Sequence, residues 1–291
     1  MKDIITEKFS LFCGDCIEIM KSLPEHSVDC VICDLPYGIT QCDWDNIIPF
    51  DKLWEQYNRI TKENSAILLF SKGLFTVDLI CSNRENFKYN LVWKKNVPTG
   101  MSVAKHQPMR YYEHITVFYK KQPTYNPILK PRIGVGKSCY NYDHYCGDNN
   151  HIKMNKGRGT YNPIMKERVG VGKACYKYNH YCGKSNHLDL EKKPKQYDPN
   201  FVQPSDVLEF NVVPNRKGKL HPTQKPTELI EWLIKTYSNE GELILDNCIG
   251  CGTTAIACMN ANRNYIGFEN NEEYYNISIE RINNLKESKK N

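Results

Sequence analysis

Four consecutive residues, Asp34, Leu35, Pro36 and Tyr37, set a carboxylate, a stiff ring and an aromatic side chain directly after the apolar run Asp29-Cys30-Val31-Ile32-Cys33. The run reads as a buried strand, and the carboxyl end of a central strand is where open α/β sheets place their chemistry. A hydrogen-bond acceptor beside an aromatic face can hold the amino group of a planar base. Taken alone, such a tetrapeptide is more often an ordinary turn at a strand end.

A second constellation lies near the other end of the chain. Leu245-Asp246-Asn247-Cys248-Ile249-Gly250-Cys251-Gly252-Thr253-Thr254 reads as a strand, a glycine turn and a helix start, and Glu269 closes the strand that follows. Glycines let backbone approach a ligand closely, and an acid at the end of the next strand accepts hydrogen bonds from ribose hydroxyls. Three glycines in dinucleotide spacing are absent, which favours a nucleoside ligand without a diphosphate. The alternative is a glycine turn that only packs helix against strand.

These residues need a scaffold, and hydrophobic periodicity supplies one. Strands are predicted at residues 9–12, 29–34, 66–70, 90–94, 114–119, 243–246 and 265–269. Helical spacing covers residues 16–23, 50–61, a segment ending near 83, one opening near Thr227, 253–262 and 271–286. Short apolar strands alternating with amphipathic helices make this an α/β chain with a mostly parallel, doubly wound sheet.

The middle of the chain breaks that rhythm. Residues 124–151 match residues 160–187 at roughly 20 of 28 positions, a local duplication with a period of 36. The net charge of the chain is +6. Residues 121–195 hold about 15 Lys or Arg against about 5 Asp or Glu, with about eight tyrosines, so the cationic excess is concentrated there. Cations interleaved with aromatic rings suit phosphate contact and base stacking. The organisation expected is residues 1–120 and 206–291 as two halves of one domain, with residues 121–205 as a basic recognition insertion.

Asp34-Leu35-Pro36-Tyr37, the turn at residues 246–254, and His221-Pro222-Thr223-Gln224-Lys225-Pro226 together resemble the S-adenosylmethionine-dependent DNA amino-methyltransferases. Their order, catalytic motif before cofactor motif with a recognition region between, is that of the β group of that family. The likeness covers nearly the whole chain outside the repeat. It implies a Rossmann-like class I methyltransferase fold and methyl transfer to adenine N6 in duplex DNA. Asp34 would accept one N–H of the target amine and the Leu35 carbonyl the other. Tyr37 would stack on the flipped base, and Pro36 would stiffen the loop. The cofactor S-adenosylmethionine would be held by Asp246, Asn247, Cys248, Gly250, Gly252, Thr253 and Thr254 at its methionine portion. Glu269 would take the ribose and Asp15 the adenine amino group, with Thr223 and Lys225 closing the pocket.

The chain departs from the family pattern at Leu35, where proline is usual, and at Asn247 and Cys251, which replace proline and serine. An aspartate at the head of the catalytic motif favours adenine N6; cytosine N4 is the alternative, and a DNA-binding protein without catalysis is a further one. A companion restriction endonuclease and a homodimer both fit the resemblance. Each repeat copy carries Cys-x4-His-x-Cys-x4-His, at Cys139, His144, Cys146 and His151 and at Cys175, His180, Cys182 and His187. These are zinc-ligand types in a spacing no common finger uses, so no metal is expected. His26 and His114 read as surface or core residues, Trp44 and Trp93 as core, and Ser71-Lys72-Gly73 as either a cofactor contact or a helix start. The thirteen cysteines are expected to be reduced thiols. No apolar run is long enough to span a bilayer and no signal-peptide core is visible, so a cytoplasmic protein without a membrane partner is expected.

Overall fold

The computed structural model describes residues 4–5, 9–38, 45–131, 201–214 and 219–289. The chain divides into two compact units, Met1–Leu129 with Gln203–Asn291, and Lys130–Val202. Both Cys/His clusters of the repeat, the whole of its second copy, and Trp44 lie outside the described residues. In the smaller unit two short strands, β7 (Lys130–Pro131) and β8 (Phe201–Val202), pair antiparallel.

The larger unit is built on one nine-stranded sheet. In chain order its elements are β1 (Ile4–Ile5), β2 (Phe9–Cys13), α1 (Cys16–Lys21), β3 (Val28–Cys33), α2 (Phe50–Ile60) and β4 (Thr61–Ser71). Then come α3 (Leu74–Ser82), β5 (Phe87–Thr99), a short 3-10 turn (Met101–Val103), β6 (Arg110–Phe118) and β9 (Val207–Glu209). The chain closes with α4 (Thr227–Tyr237), β10 (Leu243–Asp246), α5 (Thr253–Asn260), β11 (Asn264–Glu269) and α6 (Glu272–Ser288). The order across the sheet is β1-β2-β11-β10-β3-β4-β6-β5-β9. Five central strands, β2, β11, β10, β3 and β4, run parallel, and β6 is antiparallel to both its neighbours.

Alternation along the strands explains the three layers. In β3, Cys30 and Ile32 enter one core while Val28, Val31 and Cys33 enter the other; in β4, Ala66, Leu68 and Phe70 oppose Ile67 and Leu69. A strand buried on both faces must be apolar throughout, as these are. Leu229, Ile230, Leu233 and Ile234 of α4, Ala255 of α5, and Tyr275 and Ile282 of α6 cover the first face. Ile17 and Met20 of α1, Leu53, Tyr57 and Ile60 of α2, and Phe75 and Leu79 of α3 cover the second.

Helix starts follow local chemistry. Asp15 caps α1 by accepting from the backbone N–H groups of Ile17 and Glu18, at 2.9 and 3.0 Å. Asn271 caps α6, with Glu272 and Glu273 in its first turn, where negative charge complements the helix dipole. Residues 121–129, assigned to the insertion on sequence grounds, belong to the larger unit. Asn126, in the first repeat copy, donates its backbone N–H to the Thr236 carbonyl at 2.8 Å and its side-chain amide to the carbonyls of Lys235 and Ser238.

The predicted strands and helices are all present, several with extended ends. β4 begins at Thr61 and β5 reaches Thr99, while β1, β7, β8 and β9, each two or three residues long, had no sequence signal. Among the described residues the cysteines are free thiols, and no helix is long and apolar enough to cross a membrane.

Candidate active site

The topological switch of the sheet lies between β10 and β3. From β10 the chain continues to β11 on one side, and β3 continues to β4 on the other. The register Ile244↔Cys30 and Leu245↔Val31 brings the ends of the two strands side by side, so Asp246 and Asp34 open onto the same space. A cavity of about 900 Å³ lies there, within the size range of small-molecule sites. Of the residues singled out from sequence, Asp15, Asp34, Leu35, Pro36, Tyr37, Thr223, Lys225, Asp246, Asn247, Cys248, Gly250, Thr253, Thr254 and Glu269 line it. Gly252 does not. At φ +79° it caps α5, and a Cβ there would stand 3.0 Å from the Ser278 Cβ, so it serves the approach of α6.

On the β10 side, Asp246 is buried and fully engaged. Its Oδ1 accepts from the Cys248 N–H at 3.1 Å and its Oδ2 from the Thr254 hydroxyl at 2.6 Å. Burial pushes its carboxyl up to about 6 against the opposing pull of those donors. The Tyr57 hydroxyl donates to the Asn247 side-chain oxygen, tying the turn to α2. Gly250, at φ +54°, donates its N–H to Glu269 Oε2 at 2.8 Å, and Asn271 donates to Glu269 Oε1 at 2.9 Å. Burial raises the Glu269 carboxyl. Arg281 of α6 donates to the Thr253 hydroxyl at 3.2 Å and locks the helix start.

On the β3 side, Asp34 Oδ1 accepts from the Tyr37 hydroxyl at 2.7 Å, and Oδ2 pairs with the Lys225 ammonium. Burial raises the Asp34 carboxyl, with Lys225 and Tyr37 opposing. The Tyr37 ring packs on Phe75 at 4.9 Å, and the Asp45 carboxylate accepts the Gly38 N–H at 2.9 Å, which shapes the loop. Leu35 is buried in the second core, which anchors its side chain.

Lys225 stands against Asp34, inside the catalytic constellation as well as the cavity wall. It also lies 3.6 Å from Glu113 Oε2 and over the face of Phe70. Burial alone would lower its ammonium; Asp34 and Glu113 outweigh that and raise it. Glu113 in turn pairs with Lys95, and its carboxyl is lowered because Lys225 and Lys95 overcome burial. Glu113 and Lys95 are cavity residues that sequence reasoning passed over, and His221, named there within the turn at residues 221–226 but given no role, is a third. The signal for the first two was a charge at an inward position of a strand otherwise rich in apolar residues. His221 accepts from Thr223 through Nδ1 and packs edge-on against Tyr274 at 4.2 Å. Burial, then Lys225 and Lys219, hold it down at about 4, so its ring is neutral near pH 7.

Of the remaining sequence candidates, Trp93 is buried as expected but also forms cavity wall, its indole N–H donating to the Phe210 carbonyl at 2.9 Å. Lys72 lines the cavity, and Gly73 caps α3, the helix start expected of Ser71-Lys72-Gly73. His26 bonds the Thr61 carbonyl at 3.1 Å, and His114 lies beside Tyr112 on β6 with the rings tilted and 5.2 Å apart, outside the cavity. No group of three or more His, Cys, Asp or Glu arranged to hold a metal occurs among the described residues.

Strand order, switch point and a nucleoside-sized cavity define a class I methyltransferase fold. Solved structures agree: the M1.HpyAVI–SAM complex superposes with a TM-score of 0.54 at 20% identity, covering 94% of this chain and 99% of that one. The cytosine-N4-specific PvuII DNA methyltransferase gives a TM-score of 0.59 at 14% identity, covering 96% and 92%. Residues 28–280 match the DNA methylase family of N6- and N4-methyltransferases. The chain therefore belongs to that family, and its cofactor is S-adenosylmethionine. Among curated relatives, the type II methyltransferase M.BglII of Bacillus subtilis is 26% identical over 93% of this chain and 68% of its own length. The DNA adenine methyltransferase YhdJ of Escherichia coli is 24% identical over 92% and 81%. The type II methyltransferase M.HpaI of Haemophilus parainfluenzae is 44% identical, over a local match spanning 27% of this chain and 26% of that relative.

The donor set fits the cofactor. A buried carboxylate at Asp246, a turn exposing backbone between β10 and α5, and a second carboxylate at Glu269 are spaced along one wall, as a zwitterionic nucleoside requires.

Proposed function

We propose that this protein methylates the exocyclic N6 of adenine in duplex DNA, by flipping the base into the cavity and transferring the methyl group directly in line. The observation that carries the reading is the juxtaposition of Asp34 and Asp246 across adjacent parallel strands, which sets an amine acceptor beside a cofactor wall. When bound, S-adenosylmethionine supplies an electrophilic methyl group on a sulfonium sulfur.

The protein's part is orientation and proton handling. An exocyclic amine is a poor nucleophile because its lone pair is delocalised into the ring. Asp34 accepts one N–H and the Leu35 carbonyl the other, which holds the nitrogen with its lone pair towards the methyl group. Tyr37 offers its ring to the flipped base, and Pro36 limits the loop. As the N–C bond forms and the S–C bond breaks, positive charge moves onto the nitrogen, which then loses a proton. Asp34, whose carboxyl is raised by burial, is placed to take it. Asp246 and the turn through Thr254 hold the methionine portion, Glu269 the ribose and Asp15 the adenine edge, with Thr223 beside them. Residues 121–205 would read the DNA site, since the basic, tyrosine-rich composition suits backbone contact and stacking.

The aspartate at the head of the motif and the similarity to YhdJ favour adenine; the likeness to the PvuII enzyme is one of fold. Incubation with labelled S-adenosylmethionine and long unmethylated duplex DNA, followed by nucleoside analysis, tests the reading. N6-methyladenine is expected; N4-methylcytosine would overturn the assignment of the base, and label on neither would overturn the activity.

A further inference from the structure

Glu113 lies within β6 and is nine-tenths buried. Its Oε1 is held by Lys95, whose ammonium also sits over the Trp93 ring at 5.0 Å. Its Oε2 is buried, has no hydrogen-bond partner among the described residues, and faces Lys225 Nζ at 3.6 Å. That ammonium is itself bonded to Asp34 Oδ2. One cation thus stands between a partly exposed carboxylate and a buried one, bonded to the first and ion-paired with the second at 3.6 Å.

A buried acceptor held only by a long ion pair is under-satisfied, and this points to a second state in which it is bonded more closely. We propose that Glu113 is a positioning residue that receives Lys225 when the target amine takes up Asp34. The proposal rests on the reading of Asp34 as the amine acceptor. In the arrangement described, both Asp34 oxygens are engaged, Oδ1 by the Tyr37 hydroxyl and Oδ2 by Lys225. An arriving amine competes with Lys225 for Oδ2. A movement of Nζ on the order of 1 Å brings Glu113 Oε2 within hydrogen-bond range. The flexible lysine stem and its rotatable donors allow that movement, and the Phe70 face beneath Nζ keeps the ammonium over a ring throughout. Lys95 fixes the receiving carboxylate from its far side, so the docking point is preformed. Lys225 keeps a carboxylate partner in both states, while Asp34 exchanges an ammonium for the amine N–H and keeps the Tyr37 hydroxyl.

The exchange predicts a specific pattern of coupling. With Glu113→Gln the receiving site loses its charge and Lys225 stays on Asp34. Turnover on long unmethylated duplex DNA with labelled S-adenosylmethionine is then expected to fall about tenfold, with the KM for S-adenosylmethionine changed less than about twofold. With Lys225→Met as the reference, in which there is no cation to receive, adding Glu113→Gln is expected to change turnover less than about twofold. Glu113→Asp, which keeps the charge but shortens its reach, is expected to lose turnover and to show the same dependence on Lys225. Wild-type turnover in Glu113→Gln overturns the proposal. So does a loss of the same size on the Lys225→Met reference, for whichever of the two Glu113 variants folds, since a purely structural role would give additive damage. Asp34→Ala run in parallel separates the two claims: if it retains turnover, the reading of Asp34 fails; if it is inactive while Glu113 variants behave as wild type, only the exchange fails.

Discussion

Thr254→Val probes the cofactor wall through the titration of Asp246. The hydroxyl of Thr254 donates to Asp246 Oδ2 at 2.6 Å, and valine keeps the shape while deleting the donor. The carboxyl already stands at about 6 because burial outweighs its hydrogen bonds. A hydrogen bond to a charged group contributes about 1.5–3 kcal/mol, and about 1.4 kcal/mol corresponds to one pKa unit, so the midpoint should rise by about one unit or more. If the ionised carboxylate faces the methionine ammonium, S-adenosylmethionine affinity falls about tenfold per pH unit below that midpoint. Calorimetric titrations between about pH 5 and pH 7.5, below the range where an α-amino group loses its proton, should show the fall near pH 6 in wild type and near pH 7 in the variant. Stability has the opposite sign. A carboxyl raised on folding makes the folded state the stronger proton binder, so stability falls as pH rises from the unfolded value of about 4 through the folded midpoint. Glu269 is also raised, but its oxygens take the N–H groups of Gly250 and Asn271, which Thr254→Val leaves untouched. Superimposable affinity profiles for the two proteins, or a wild-type profile flat over the whole range, would refute the assignment of Asp246 to the ammonium.

Gly252→Ala should cost on the order of 2–4 kcal/mol, from a left-handed backbone and overpacking against α6. The added Cβ would lie 3.0 Å from the Ser278 Cβ and 3.3 Å from its Cα, and an unchanged urea midpoint would contradict this. Deleting residues 160–187 should weaken DNA binding or change site choice while S-adenosylmethionine affinity stays as it was. Equal DNA affinity and site choice in the deleted protein would remove recognition as the role of the repeat.

The parts of the site that were legible in the sequence are those carried by local pattern. Val31, Ile32 and Cys33 are apolar on both faces of a central strand, so the position of Asp34 at its end follows from the run itself. The same holds for Leu243 to Asp246, and for the helices whose apolar residues recur at helical spacing. Glu113 and Lys95 were legible at most as charges at inward strand positions, because their importance depends on β5 folding back along β6 with Trp93 opposite Glu113, and on β6 lying beside β4. Nothing local announces that pairing. Lys225 was legible as a cavity residue but not as the partner of Asp34, because the contact joins positions 191 apart in sequence. Gly252 shows the reverse limit: a glycine in a ligand-binding pattern can be required by a helix behind the turn instead of by the ligand in front.

The pairing of β3 with β10 also bears on how the protein is made. Cys30 and Ile244 are neighbours in the sheet, yet more than two hundred residues separate them along the chain. During synthesis β3 and β4 emerge early, but the strand that belongs on the inner flank of β3 arrives only after the whole insertion and α4. Until then that flank is an unpaired, apolar edge, open to pairing with another chain. Long-range pairing of this kind forms slowly and leaves the edge exposed for longer. A nascent or truncated chain ending before Leu243 would hold Asp34 with no cofactor wall beside it. Chain order thus withholds a complete site until the last strands join, and it makes such products candidates for aggregation, not for partial activity.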